Sequence, residues 1–232
     1  MPRARLQIEK YVISLGGSLI VPDRIDTDFM KGFARLILSE IKKGRLFFII
    51  TGGGATARGY ITALRQFGRS TNNDLDWIGI SATKMNAQFL SAIFGNQVRK
   101  KIITDPSVKK TGLKNINLVC GWKPGSSTDY VAVKIAQTYG VGEIINLSNI
   151  DYVYNKDPKK YKKAKRYKEM SWAEFAKLFG TKWDPGANVP FDPVAAALAH
   201  KLGLKVVVMN GRKLGKVKEY LNRRRFTGTV IS

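Results

Sequence analysis

The sequence predicts an α/β fold, a three-layer αβα sandwich around a mostly parallel sheet, and three observations carry that expectation. Two short apolar runs, Tyr11–Leu15 and Leu46–Ile50, each stop at a glycine turn, Gly16-Gly17-Ser18 and Gly52-Gly53-Gly54. Runs of this kind mark strands buried on both faces, as parallel strands are. Segments of helical apolar spacing follow each turn, so a strand, glycine turn, helix unit occurs twice.

The remaining elements follow in order. Asp26 or Thr27 caps a helix in which Phe29, Met30, Phe33, Ile37 and Ile41 share a face, and Gly44 ends it. Ala55 to Phe67 reads as the next helix, and Ile78 to Phe94 as another. Ile116 to Cys120 is a strand, followed by a loop to Ser127 and a helix from Thr128 to Tyr139. Glu143 to Ser148 is a strand leading into Asn149–Tyr154, and the Lys-rich stretch up to Lys168 is a solvent-facing excursion. Ser171 caps a short helix through Phe179. Asp192-Pro193 opens a helix, with proline in its first turn, that ends near Gly203. A strand at Lys205–Met209, a helix at Lys213–Leu221 and a strand at Thr227–Ile231 close the chain. One domain over 1–232 is expected, with an N-terminal lobe to about 140 and a C-terminal lobe from about 141.

Composition narrows the function classes. A chain of 232 residues, 44% hydrophobic, buries a substantial core. One cysteine, Cys120, excludes an internal disulfide framework and suits a reducing compartment. Its place at the end of an apolar run makes it a small buried hydrophobe rather than a nucleophile. No apolar run approaches a membrane span, and Met1–Lys10 has no signal-peptide core, so the expected location is cytoplasmic. The charge is lopsided, with 40 Lys and Arg against 17 Asp and Glu, a formal +23. Eight of those cations fall in Lys156–Lys168, among them Lys159, and Arg223-Arg224-Arg225 forms a second cluster. A solvated loop accounts for the first cluster as readily as a nucleic-acid contact does, and no nucleic-acid partner is expected from it.

The chemistry sits in the turns. Glycine after a buried strand lets backbone N–H groups approach an anion at a helix N-terminus. Neither turn fits the P-loop or the dinucleotide-binding pattern. Arg58 lies one helical turn beyond the second, within reach of the same phosphate, although its spacing alone favours an ordinary surface arginine. Asp129 follows Ser126-Ser127-Thr128 at a helix start, Asp151 and Asp157 flank Tyr154 beyond a strand end, and Asp192 opens a helix. Each of these is equally a cap, a turn former or a ligand contact. The single histidine, His200, reads as structural.

The motifs in order resemble the amino-acid kinase superfamily and, within it, the archaeal-type uridylate (UMP) kinases. They are Leu15-Gly16-Gly17-Ser18, Thr51-Gly52-Gly53-Gly54 with Arg58, Asp76 to Asn86, and Gly121 to Asp129. Ser148-Asn149-Ile150-Asp151-Tyr152-Val153-Tyr154 with Asp157-Pro158, Asp192-Pro193-Val194-Ala195, and Gly228-Thr229-Val230-Ile231 complete the series.

That resemblance implies transfer of a phosphoryl group from ATP, with Mg2+, to UMP. It places ATP phosphates at Gly17, Ser18, Gly54 and Arg58, and the ATP nucleoside at Ser148, Asn149, Tyr154 and Asp157. UMP falls to Gly53, Asp76 and the loop Trp122, Lys123, Pro124, Gly125, Ser126, Ser127 and Thr128. Arg58, Asp129 and Asp192 become the catalytic candidates, the two carboxylates organising lysines, magnesium or backbone amides. No direct protein ligand to a metal is expected, and a homo-oligomer, a hexamer in related kinases, is. The chain departs from the family pattern at Ser14 and Ala197, where lysines are common, and at Tyr152, where glycine is usual; Lys84 and Lys123 are the candidates to replace the missing charge. The alternatives are a kinase of another small phosphate or carboxylate, and a catalytically weakened nucleotide-binding protein that binds RNA.

Overall fold

A computed structural model describes residues 8–158, 160–182 and 189–232; Lys159 of the first basic cluster and Met1 to Gln7 of the N-terminal segment lie outside them. Nine strands and eight α-helices alternate along the described residues. They are β1 Lys10–Leu15, α1 Gly17–Ile20, α2 Thr27–Ile41, β2 Leu46–Thr51, α3 Gly54–Arg65, α4 Asn72–Phe94, β3 Ile116–Val119, α5 Thr128–Tyr139 and β4 Glu143–Ser148. Then come β5 Val153–Tyr154, β6 Arg166–Tyr167, β7 Glu169–Met170, α6 Trp172–Phe179, α7 Pro193–Lys201, β8 Lys205–Asn210, α8 Leu214–Leu221 and β9 Thr229–Ile231.

Seven strands form one sheet in the order β3-β2-β1-β4-β8-β9-β7, while β5 and β6 form a separate antiparallel hairpin. The first five run parallel, β9 is antiparallel to β8, and β7 runs parallel to β9. Residues within a strand alternate between two cores. Tyr11, Ile13 and Leu15 of β1 face α2, α4 and α8, whereas Val12 faces α5, α6 and α7. Helices therefore cover both sheet faces, the expected three-layer sandwich. One sheet runs through both halves of the chain, since β1 pairs with β2 on one side and β4 on the other.

The helix caps explain most of the boundaries. Asp26, Ser127, Ser171 and Asp192 each accept a first-turn backbone N–H through the side chain. One boundary differs from expectation by six residues. α4 begins at Asn72, not Ile78, because Thr71 and Asp74 form a reciprocal capping box ahead of the apolar stretch. The Lys-rich excursion also carries structure that apolar periodicity does not show, the short β5–β6 hairpin and then β7. Among the described residues no helix is long and apolar enough to cross a membrane.

Candidate active site

Parallel strands β1, β2 and β4 all end at one edge of the sheet, where their connecting loops meet. The two glycine turns touch there, backbone against backbone. A Cβ on Gly17 would stand 2.1 Å from the Gly54 nitrogen and 2.7 Å from the Gly52 carbonyl carbon. One on Gly52 would stand 2.3 Å from the Gly17 nitrogen. Gly54 adopts φ +65°, a conformation that favours glycine, and the carbonyl oxygens of Gly17 and Val21 crowd the space a Cβ would fill. Gly16 N–H donates to Leu147 O at 2.9 Å and Gly52 N–H to Leu15 O at 2.9 Å, tying the three strand ends together.

These turns are also where caps are missing. No side chain caps α1 at Gly16 or α3 at Gly53. Leu19 N–H donates to Gly16 O at 2.9 Å and Ala55 N–H to Val21 O at 2.8 Å, which leaves the N–H groups of Gly17 and Ser18 in α1 and of Gly54 and Thr56 in α3 for an outside acceptor. In α3, twelve residues long, those groups carry the positive end of the helix dipole and suit an anion. Arg58 stands on the same helix four residues after Gly54, exposed, with one Nη2–H donated to Pro22 O at 3.0 Å. The rest of its fork is open to a phosphate.

Helix α4 forms the floor. Asn86 donates its Nδ2–H to Gly52 O at 2.7 Å, holding the second turn in place. Thr83 Oγ1 accepts from Gly121 N–H at 2.7 Å and so fixes the start of the Trp122–Thr128 loop. Asp76 Oδ2 accepts from Gly125 N–H at 2.7 Å and fixes its tip. Within the Asp76–Asn86 motif only Asp76 has an expected role; Thr83 and Asn86, seven and ten residues on, share its helical side. Within the loop, Lys123 Nζ lies 4.2 Å from the Trp122 ring centroid and Ser127 caps α5. Lys84 is exposed on α4.

A polar network behind the first turn joins α5 and α7. Ser14 Oγ–H donates to Asp129 Oδ1 at 3.1 Å, and Asp192 N–H donates to Asp129 Oδ2 at 3.1 Å. Ser127 Oγ–H donates to Asp192 Oδ2, while Asp192 Oδ1 accepts from Val194 N–H at 2.8 Å. Ser14 therefore spends its hydroxyl where the family commonly has lysine. Of the lysines, magnesium or backbone amides expected at Asp129 and Asp192, the structure supplies backbone amides, joined by hydroxyls; among the described residues neither carboxylate forms an ion pair. Part of the Asp129 residue surface still meets solvent, yet burial of its carboxyl, aided by the nearby Asp192 charge and opposed by the two hydrogen bonds, pushes its pKa up to about 6.

That shift has a signed consequence. The folded chain holds this proton more tightly than the unfolded one, so the associated stability is fully present below about pH 4 and lost as pH rises through about 6. Asp129→Asn keeps the shape, with Oδ1 accepting from Asp192 N–H and Nδ2 donating to Ser14 Oγ. Its unfolding free energy relative to the wild type is expected to rise between pH 4 and 7 by no more than ~3 kcal/mol, less with solvent screening. Urea unfolding of both proteins across that range reads it, and a difference independent of pH would refute the assignment.

On the far side of β1, Ser148 ends β4, Asn149 is exposed, and Tyr154 lies in β5 with Asp157 just beyond. Asp151 clamps this loop to the end of β8, accepting from Asn210 Nδ2 at 2.9 Å and Lys213 Nζ at 2.7 Å. The lysine contact, opposed by partial burial and helped by Asn210, holds the Asp151 carboxyl below its usual range. Two predicted bystanders stand apart. Cys120 is buried, with its thiol pKa raised by burial, and His200 is exposed near the C-terminal end of α7, opposite the Asp192 cap.

An α/β sandwich with two uncapped glycine turns packed together at the strand ends, an arginine beside them and a loop facing each, is the architecture of a phosphotransferase. The chain belongs to the amino acid kinase family, whose sequence pattern matches residues 9–210. It is similar to uridylate kinase of Thermoplasma volcanium, 36% identical over 92% of this chain and 93% of the relative. The uridylate kinase of Methanospirillum hungatei is 34% identical over 95% of this chain and 94% of its own. Among solved structures, uridylate kinase from Archaeoglobus fulgidus superposes with a TM-score of 0.82 at 29% identity, covering 97% of this chain and all of that one.

Proposed function

We propose that this chain is a UMP kinase, transferring the γ-phosphoryl group of ATP to UMP to give UDP and ADP. The observation that carries the phosphoryl-transfer half is the backbone contact between the two glycine turns, which brings two anion-binding places together. Gly17, Ser18, Gly54 and Arg58 hold the ATP phosphates, and Ser148, Asn149, Tyr154 and Asp157 hold its nucleoside. Gly53, Asp76 and the Trp122–Thr128 loop hold UMP, an acceptor supported by the uridylate kinases that this chain resembles. Asp76 keeps one carboxylate oxygen for a ribose hydroxyl while the other fixes Gly125.

The UMP phosphate is already a nucleophile at neutral pH, so no strong general base is required. The work is alignment and charge neutralisation. Arg58 faces the charge that develops on the transferred group, and the α3 N-terminus adds oriented N–H donors. Asp129 and Asp192 keep α5 and α7 in register behind the first turn. Among the described residues no three acidic, histidine or cysteine side chains converge into a metal cage. Magnesium bound with ATP would keep its waters and ride on the nucleotide phosphates, supplying neutralisation of the β- and γ-phosphate charge.

Cytoplasmic residence and self-association complete the reading. Phe67, just after α3, and Trp77 and Met85 on α4 are exposed, at 76%, 49% and 54%, and support a homo-oligomer closed over that side. A monomer by sedimentation would refute that part.

A coupled assay with MgATP and UMP, CMP, AMP or isopentenyl phosphate tests the acceptor. UMP is expected to give the highest kcat/KM. Preference for another acceptor would keep the phosphotransferase and discard UMP; turnover of none would discard both.

A further inference from the structure

We propose that a basic cleft on the far side of α8 binds single-stranded nucleic acid through its phosphates. Arg166 and Lys168 of the first cationic cluster and Arg223, Arg224 and Arg225 of the second, remote from each other along the chain, line one cleft of about 890 Å³. Lys216 joins them, and the only carboxylates among the described lining residues are Glu169 and Glu219. Lys216 pairs with Glu219 at 2.8 Å, and Arg223 lies 3.7 Å from both Glu9 and Glu143. Among the described residues, Arg166, Lys168, Arg224 and Arg225 form no ion pair. Like charges gathered in a concave wall focus a positive field, which an anion relieves.

Two features select the kind of anion. The cleft's volume holds a nucleotide-sized group but not a duplex. Its cationic lining also does not stop at the mouth. Arg166 is continuous with the β5–β6 hairpin, whose connecting segment carries Lys156, Lys160, Lys162, Lys163 and Lys165, with exposed Tyr161 beside Lys156. A lone small polyphosphate would use the cleft and leave this extension idle, whereas a strand of linked phosphates uses both. In the lining, the Arg166 guanidinium already lies over the Tyr152 ring, 5.2 Å from its centroid, and Phe226 packs edge-on against Tyr220, so the cleft's binding is through phosphates. None of the lining residues is assigned to ATP or UMP, so the inference stands whatever the acceptor proves to be.

Fluorescence anisotropy of the full chain with a labelled single-stranded oligoadenylate, titrated over a range of salt concentrations, tests this. Binding is expected to weaken linearly in log–log form with salt, by about 0.7 in slope per phosphate contact. The double variant Arg224→Gln, Arg225→Gln is expected to bind at least about tenfold more weakly, with a slope shallower by about 1.4. Arg166→Gln with Lys168→Gln, from the first cluster, should do the same. All these side chains are on the surface, and an unchanged unfolding midpoint verifies the fold. Binding that neither double variant alters would overturn the proposal. So would full displacement by saturating MgATP with UMP, which would place the strand in the nucleotide site. Displacement by inorganic tripolyphosphate as effective as by unlabelled oligoadenylate would assign the cleft to a small anion instead.

Discussion

Gly17→Ala is expected to cost both turnover and stability, because the added methyl meets backbone and not a side chain that can swing away. With 2.1 Å to the Gly54 nitrogen and 2.7 Å to the Gly52 carbonyl carbon, the turns must separate. Overpacking of a rigid contact costs about 1–3 kcal/mol, and more where nothing yields. Displacing catalytic groups by about 1 Å costs on the order of 100-fold in rate, so kcat/KM should fall at least that far. Gly59→Ala is the matched control. That glycine sits in α3 with open space around its Cβ position, and alanine there should stabilise by about 0.5–1 kcal/mol. Steady-state kinetics and thermal unfolding of the two variants decide the matter. Wild-type turnover by Gly17→Ala would show that the contact is not the site.

Arg58→Ala should separate catalysis from folding in the opposite way. The side chain is exposed and makes one hydrogen bond within the protein, to Pro22 O at 3.0 Å, so the unfolding midpoint should barely move. Losing a donor aimed at the transferred group should lower kcat by about 10²–10³-fold. The expected mark is a fall in kcat larger than any rise in KM, since the charge it meets grows in the transition state. Arg58→Lys should recover only part, because an ammonium lacks the planar fork. Ser14 and Ala197 carry no charge where the resemblance implies lysine, which raises the demand on Arg58, Lys84 and Lys123. An unchanged kcat would remove Arg58 from the mechanism.

What could be read from the sequence was local. β1, β2, α5 and the caps at Asp26, Ser127, Ser171 and Asp192 depend on neighbours a few residues away, and they stand where spacing and cap chemistry put them. The start of α4 was obscured because its first turn is polar, with only Leu75 buried before the apolar positions begin. Strands of two residues, β5 to β7, are too short for any alternation to register. The glycine turns were legible as turns, but their contact with each other was not. Ser14 was legible only as a missing lysine; its partner Asp129 lies 115 positions away, and Ser127 and Asp192 meet across 65. Asn86 and Thr83 stood within a recognisable segment, yet their acceptor and donor are backbone groups of other loops, which no side-chain pattern announces. The meeting of the two basic clusters is of the same kind, a product of topology.

Thr229 has a consequence for the order of events during synthesis. Its hydroxyl accepts from Val153 N–H at 2.8 Å and donates to Tyr167 O at 2.5 Å, stitching the hairpin behind Asn149, Tyr154 and Asp157 to the sheet. That stitch spans 76 residues. On a ribosome, which delivers residues in order, the central parallel strands β1 to β4 are complete long before Thr229 emerges. The loop beyond β4 gains its first tether, at Asp151, when Asn210 and Lys213 arrive, and its hairpin is stitched down only after that. Assembly of the sheet's middle and closure of its hairpin edge are thus separate milestones, and the second is timed by the arrival of β9.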